Sequence, residues 1–278
     1  MYSKDPSVSV IVPTLNSERF IEKCLASIKM QKYDSIELIV VDNFSTDKTR
    51  EIAARFTDKV YMAGPERCSQ RNFGFNKSCG DYAVFIDSDM ILSVDVISEA
   101  VAKCTGENGY DGIYIPEISI GKGFWTACKA LERSCYVGDV SIEAARFFRR
   151  DILIEVGGYD EKLVSAEDWD LSQRIVEKGY NLGHIKAIIE HNEGKLSILK
   201  TMKKKFYYGQ KIHMYIRKHP NSRSSQFTPF REAYLKNWKN IFKNPILCLG
   251  FLFLKFCEFL AGGLGYVKSL IGNRFRAH

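Results

Sequence analysis

Asp87-Ser88-Asp89 follows the apolar run Tyr82-Ala-Val-Phe-Ile86 and is the first place in this 278-residue chain where chemistry could concentrate. Side chains two apart at a strand end share a face, so both carboxylates can be offered to one divalent cation. Two anions this close repel, and in a low-dielectric setting one would take up a proton unless an opposite charge held both ionised. The same residue types also make an ordinary polar turn capping the next helix. A second acidic stretch, Glu167, Asp168 and Asp170, lies behind Ser165, which can cap a helix; three acids in a first turn satisfy the helix dipole. Asp170 reads as a cap or a supporting acid. His191 ends an apolar run that starts at His184, and a histidine at the ligand edge of a sheet could complete a metal shell or bind diphosphate. His213 and His219 are read as polar surface residues.

The elements that must position these groups are legible from hydrophobic periodicity. Ser7–Val12 reads as a β-branched central strand ended by Pro13, and Asn16 or Ser17 can cap a helix with Phe20, Ile21, Cys24, Leu25 and Ile28 at helical spacing. Ile36–Val41 is a second buried strand closing on Asp42-Asn43, with a helix from Ser45-Thr-Asp47 to Phe56. Lys59–Met62 is a weaker third strand, and Arg67–Lys77 a helix carrying Arg67, Arg71 and Asn72 in its early turns. Four alternations of strand and helix predict an α/β fold with a doubly wound sheet, in which ligands sit outside the carboxyl ends of the strands. Three polar loops then meet at one edge: Pro13-Thr14-Leu15-Asn16, Asp42-Asn43 and Asp87-Ser88-Asp89. Neither Gly-x-Gly-x-x-Gly after the first strand nor a P-loop occurs, which disfavours those two nucleotide sites. Asp42 reads as a hydrogen-bond partner for a base or ribose, or as a strand-end Asx turn. Arg71 could fork onto a phosphate or tie its helix to a neighbouring acid.

Beyond the aspartates the pattern predicts a helix between Val94 and Cys104, a strand at Gly112–Pro116, a mobile loop at Gly121-Lys-Gly123 and a helix at Phe124–Tyr136. It continues with a strand at Ala145–Arg149, a short helix stopped by Gly157-Gly158, and a last strand at His184–His191.

Taken in order, Val10-Ile-Val-Pro-Thr-Leu-Asn16, Val40-Val-Asp-Asn-Phe-Ser-Thr-Asp47, Gln70-Arg-Asn-Phe-Gly74, Asp87-Ser-Asp89, Phe147-Phe-Arg149, Val156-Gly-Gly-Tyr-Asp-Glu161 and Glu167-Asp-Trp-Asp-Leu171 with Arg174 resemble glycosyltransferase family 2. The resemblance covers about residues 7 to 195; each piece is weak alone, and the ordered set is specific. It implies the GT-A fold, a mostly parallel Rossmann-like sheet, and inverting transfer of a sugar from a UDP- or GDP-sugar. Pro13, Thr14 and Asp42 would match positions that hold the nucleoside, with Asn16, Asn43, Arg71, Asp87 and Ser88 completing the donor set. Asp87 and Asp89 would match the metal motif for Mn²⁺ or Mg²⁺, with His191 as a further ligand. Asp168 would match the catalytic base, ahead of Glu167. Asn43-Phe44 departs from the family pattern and leaves the donor's base open. An inverting transfer needs such a carboxylate, because a hydroxyl is a poor nucleophile until its proton is taken.

Charge is uneven. The net +7 hides residues 195–278, which hold 17 Lys and Arg against two acids. Lys195–Lys218 has no acid and carries Leu199, Met202, Phe206, Ile212, Tyr215 and Ile216 at helical spacing, a basic amphipathic helix suited to anionic lipid. A Ser-rich bridge from His219 to Thr228 and a helix starting near Phe230 lead to the apolar stretch Pro245–Val267, broken by Lys255 and Glu258 and by glycines. Mid-segment charges favour in-plane insertion or a helical hairpin over a crossing, with burial in a soluble core or a homo-oligomer interface as the alternative. Long apolar runs do nothing for phosphate contacts, so nucleic acid is not an expected partner. Eight cysteines without a Cys-x-x-Cys pair read as reduced, mostly buried thiols. Met1–Pro6 shows no apolar h-region, so the catalytic part is expected to face the cytoplasm. The expectation is a catalytic domain at 1–195 (donor half 1–92, acceptor half 93–195) and a membrane-associating helical appendage at 196–278. The acceptor would be lipid-linked; the alternatives are a transferase acting on polysaccharide or protein, or a nucleotide-sugar-binding protein without turnover.

Overall fold

The computed structural model describes residues 5–107, 109–220 and 231–274. In chain order the elements are β1 (Val8–Thr14), α1 (Ile21–Lys29), β2 (Ile36–Asp42), α2 (Thr49–Ala54), β3 (Val60–Met62), α3 (Arg67–Lys77), β4 (Tyr82–Phe85), β5 (Met90–Leu92), α4 (Val96–Thr105), β6 (Gly112–Tyr114) and β7 (Glu117–Ile120). They continue with α5 (Phe124–Ser134), β8 (Ala145–Arg149), α6 (Arg150–Val156), α7 (Glu167–Glu177), β9 (Leu182–His184), β10 (Ile189–Asn192), α8 (Ile198–Lys211) and α9 (His213–Lys218). Last come α10 (Glu232–Lys236), α11 (Trp238–Phe242) and α12 (Pro245–Arg274). Two compact units result: one runs through Glu117 and takes in Glu143–Glu161 and Asp168–Asn192, the other takes Ile118–Ile142, Lys162–Glu167 and the chain from Glu193 on.

The first unit is built on a seven-stranded sheet in the order β3-β2-β1-β4-β8-β6-β9, with β8 antiparallel to β4 and β6 and the remaining pairings parallel. Both faces are buried, as a parallel sheet requires. Val8, Val10 and Val12 pack on one side with α1 and α4, while Ile11, Ile39 and Val41 pack on the other with α3, α6 and α7. Burying each such Val or Ile side chain contributes roughly 1.5–3 kcal/mol, so the sheet and its helix layers specify each other. The expected doubly wound α/β architecture is present.

Several local expectations change. β1 continues through Pro13 to Thr14, in register with Val41 and Asp42. Its pairing with β4 ends at Ile11↔Phe85, so Pro13, which has no N–H, lies beyond the last paired residue on that side. Neither Asn16 nor Ser17 caps α1 through its side chain: the Ser17 carbonyl accepts from Phe20 and Ile21, and its hydroxyl donates to the Leu15 carbonyl. The single strand expected at His184–His191 is two. β9 ends at His184, whose ring stacks on Tyr114; the Lys186 and Ala187 N–H groups turn aside to Glu99; β10 then pairs antiparallel with β5, His191 opposite Met90. α6 stops at Gly157 as expected, in the left-handed conformation at φ +78°.

In the second unit, Lys122 N–H donates to the Gly194 carbonyl at 2.8 Å, so the glycine-flanked turn expected to be mobile is tied. The basic helix from Ile198 is present as α8 and α9. The Ser-rich bridge and the helix start near Phe230 fall at 221–230, outside the described residues, as does Met1–Lys4. A helical hairpin does not form: α12 is one continuous helix through Gly262, Gly263 and Gly265, long and apolar enough to cross a membrane by length and composition. The glycines serve close packing on α8. A Cβ on Gly209 would sit 2.1 Å from the Gly262 carbonyl oxygen, and one on Gly265 would sit 2.1 Å from that of Phe206. Lys255 and Glu258 do not break the helix, because Lys255 pairs with Glu132 at 2.8 Å and Glu258 with Lys129 at 3.0 Å. Seven of the eight cysteines are buried and all are free thiols; Cys79 is exposed.

Candidate active site

All the groups that converge here belong to the first unit. β4 ends at Phe85 and, through the buried Ile86, delivers Asp87 to the carboxyl edge of the sheet. Residues 87–90 form a turn closed by Met90 N–H to the Asp87 carbonyl at 3.0 Å. The two aspartates therefore sit on a turn and not on a strand end, strand alternation does not align them, and they take different partners.

Asp87 faces three guanidinium groups. Arg71, from the first turns of α3, lies 2.8 Å from it, Arg146 of β8 3.7 Å and Arg67 3.9 Å. Burial alone would push the Asp87 carboxyl up, but these cations, Arg71 foremost, hold it well below the usual carboxylate range. Arg71 is fully buried, and its other fork nitrogen reaches Asp168 in the first turn of α7, also at 2.8 Å. One planar cation thus joins residues 87 and 168. The Tyr159 ring lies under it, 4.9 Å from the guanidinium carbon, and the Tyr159 hydroxyl donates to Asp168 at 3.2 Å. Glu167 is 3 % exposed whereas the Asp168 side chain is 21 % exposed, which leaves Asp168 the more accessible of the two acids. Asp170 is buried and paired with Arg174 at 2.8 Å, a helix-internal role.

Asp89 takes His191: imidazole Nε2 lies 3.2 Å from the carboxylate, and Nδ1 lies 3.5 Å from Glu117, which in turn pairs with Arg146 at 2.6 Å. A carboxylate and an imidazole at the open end of a sheet suit Mn²⁺ or Mg²⁺ when substrate oxygens complete the shell. Among the described residues no group of three or more His, Cys, Asp or Glu side chains is arranged to hold a metal by itself. This donor set fits a cation that arrives with its ligand.

Along the same edge, Gln70 Nε2 donates to the carbonyls of Thr14 and Val41 and clamps the ends of β1 and β2. The Thr14 hydroxyl is buried and finds no hydrogen-bond partner among the described residues, an uncompensated polar group that a ligand would satisfy. Asn16 sits at φ +47° with its side-chain carbonyl accepting from Thr46 N–H, and Asn43 donates to the Pro65 carbonyl at 2.6 Å. Ser88 donates to the Ser17 hydroxyl at 2.8 Å. The Asp42 carboxylate is fully buried and accepts from the Ser45 N–H and hydroxyl, which closes a turn at the end of β2. Arg71 ties the two acids Asp87 and Asp168. Phe44 is exposed at φ +55°, so aromatic bulk there is not core packing. Glu117, Arg146 and Tyr159 escaped the sequence reading. Arg146 left a trace as a charge inside the otherwise buried strand Ala145-Arg-Phe-Phe148, and Tyr159 as a member of the Val156–Glu161 motif to which no role was given.

A doubly wound sheet with one antiparallel strand, an acidic turn at its carboxyl edge and a second carboxylate brought to that turn define a GT-A-type α/β fold. The chain belongs to glycosyl transferase family 2, whose model matches residues 9–155. Among curated proteins, it is 35% identical over 105 residues to glycosyltransferase GlyA of Streptococcus pneumoniae, covering 36% of this chain and 15% of that one. It is 29% identical over 199 residues to glycosyltransferase AglE of Haloferax volcanii, covering 66% of this chain and 65% of that one. The chain thus spans less than two thirds of either relative. Among solved structures, the mannosyltransferase PcManGT of Pyrobaculum calidifontis, in complex with GDP-Man and Mn²⁺, superposes with a TM-score of 0.67 at 17% identity, covering 95% of this chain and 88% of that one. That likeness shows the fold.

Proposed function

We propose that this chain is a metal-dependent, inverting glycosyltransferase that moves a sugar from a UDP- or GDP-sugar to a lipid-linked acceptor, such as a polyprenyl phosphate or a polyprenyl-diphosphate glycan, at the cytoplasmic face of a membrane. The observation that carries the reading is Arg71 bridging Asp87 to Asp168, which puts the donor motif and a partly open carboxylate within reach of one guanidinium. The fold neighbour complexed with GDP-Man and Mn²⁺ supports the donor class and the cation.

In this reading the carboxyl edge of β1 and β2 receives the nucleoside, where the Thr14 hydroxyl awaits a partner. Asp89 and His191 hold the divalent cation, which when bound offsets charge on the departing diphosphate. Arg67, at the start of α3 with its side chain 39 % exposed and 3.9 Å from Asp87, adds a fixed positive charge for that diphosphate. Asp168 takes the proton of the acceptor hydroxyl as it attacks the anomeric carbon. Arg71 and Tyr159 hold that carboxylate in place through the 2.8 Å ion pair and the 3.2 Å hydrogen bond. A single displacement with inversion follows. Residues 1–195 carry this chemistry, and 196–278 bring the enzyme to the membrane surface where a lipid-linked acceptor resides.

The test screens nucleotide-sugar donors against membrane lipid extract with Mn²⁺, Mg²⁺ or chelator. Asp168→Asn is expected to lower turnover by about 10²–10⁴-fold with donor affinity retained, and Asp89→Ala to abolish the response to metal. Full turnover in both variants would remove the proposed chemistry.

A further inference from the structure

The outward face of α12 carries an apolar stripe from Ile246 to Ile271. Ile246, Leu249, Phe253, Phe256, Leu260, Leu264, Val267 and Ile271 are all exposed large side chains, and their spacing of 3 or 4 residues averages one helical turn, so they form a single stripe. The inward face packs Cys248, Phe251 and Leu254 into the second unit's apolar cluster and also holds the helix's mid-segment charges. It carries Lys255 and Glu258, paired with Glu132 and Lys129 of α5, and the glycines that touch α8. A helix packed on a soluble core ordinarily turns a polar face to water, so an exposed apolar stripe of this length marks an interaction surface.

We propose that α12 lies in the plane of an anionic lipid bilayer, with this stripe sunk into the acyl boundary, and does not cross it. The proposal rests on the membrane-surface enzyme described above and names the docking face, its partner and its orientation. Charge selects lipid over a protein partner. Residues 195–278 hold 17 basic residues against two acids, and exposed Lys239 and Lys243 precede the helix while exposed Lys268 lies near its other end. Cations at both ends of an in-plane helix reach one headgroup layer, with Trp238, exposed just before the helix, at the same level. A crossing would put Lys243 and Lys268 in opposite leaflets. It would also carry α5, held to the middle of α12 by the Glu132–Lys255 and Lys129–Glu258 pairs, into the hydrocarbon.

The experiment is cosedimentation of the full chain with sealed phosphatidylcholine vesicles, with and without phosphatidylglycerol. Binding is expected to be about tenfold or more tighter with the anionic lipid. Leu249→Glu combined with Phe256→Glu should lose vesicle binding while keeping thermal stability and donor hydrolysis, because both side chains are exposed and belong to the second unit, whereas the proposed chemistry belongs to the first. For orientation, Lys243→Cys and Lys268→Cys are made singly in a Cys79→Ser background and treated with an impermeant maleimide added outside bound vesicles. Labelling of both supports the in-plane helix; protection of one means a crossing and overturns it. A stable dimer in solution with no vesicle binding, broken by the Glu substitutions, would assign the stripe to a second copy of the chain and also overturn it. Vesicle binding without donor hydrolysis would sink the enzymatic reading and leave the docking face standing.

Discussion

Arg71 is a buried cation shared by two aspartates, and each partner depends on it in a different way. For Asp87 it offsets burial. In Arg71→Met that carboxylate keeps only the more distant Arg146 and Arg67, and breaking a buried pair from one side costs about 3–5 kcal/mol. Arg71→Lys should recover little, since an ammonium cannot fork to two carboxylates. Chemical denaturation reads both, and a Lys variant as stable as the parent would refute the shared-fork account. The depressed Asp87 pKa also fixes the sign of a pH dependence. A carboxyl lowered in the folded state stabilises fully above its unfolded value, about 3.9, and loses that contribution as pH falls toward the folded value. The stability advantage of the parent over Asp87→Asn should therefore be level from pH 8 to 5 and shrink below about pH 4. An advantage already fading at pH 6 would show that the arginines do not hold Asp87 down. Asp87 and Asp89 could be singled out in the sequence because acids after an apolar run stand out, and Asp168 over Glu167 because of the family resemblance. Glu117, Arg146 and Tyr159 could not, because their roles come from partners distant in the chain, such as Asp87 for Arg146 and Arg71 for Tyr159.

At the scale of elements, the strands of the first unit could be read from their β-branched runs, since a two-sided core needs them apolar throughout. The split of His184–His191 could not, because it is made by Glu99 capturing two backbone N–H groups from another element. The same limit explains α12: charges and glycines inside an apolar run look like interruptions until α5 and α8 supply the counter-charges and the close backbone approach. That approach gives a paired prediction. Gly209→Leu puts a side chain where the Gly262 carbonyl oxygen already is and should destabilise by about 1–3 kcal/mol or more. Gly263→Ala meets nothing within 4 Å in a helix interior and should stabilise by about 0.4–1 kcal/mol. Thermal melts of the two variants shifting in the same direction would contradict the packing described for α8 and α12.

At the scale of the whole molecule, the charge division was visible in the sequence. Residues 1–194 hold 23 basic and 31 acidic side chains, whereas 195–278 hold 17 and two. What the sequence hid is that the chain enters the second unit three times, through Ile118–Ile142, Lys162–Glu167 and again from Glu193, because that assembly depends on pairings such as Lys129 with Glu258 between residues far apart. The division has a functional consequence if the basic part brings the enzyme to an anionic surface. Each lysine near such a surface contributes about 1 kcal/mol at low salt, and screening shortens the reach of that attraction from about 10 Å at 0.1 M salt to about 3 Å at 1 M. Transfer to a lipid-linked acceptor in phosphatidylglycerol vesicles should then fall steeply as NaCl is raised. Transfer to a water-soluble analogue of the same acceptor, in buffer without vesicles, should change little, because the Arg71 pairs with Asp87 and Asp168 are buried and screened far less. Equal losses on both acceptors would place the salt effect at the diphosphate site and deny the basic half its part in delivering substrate.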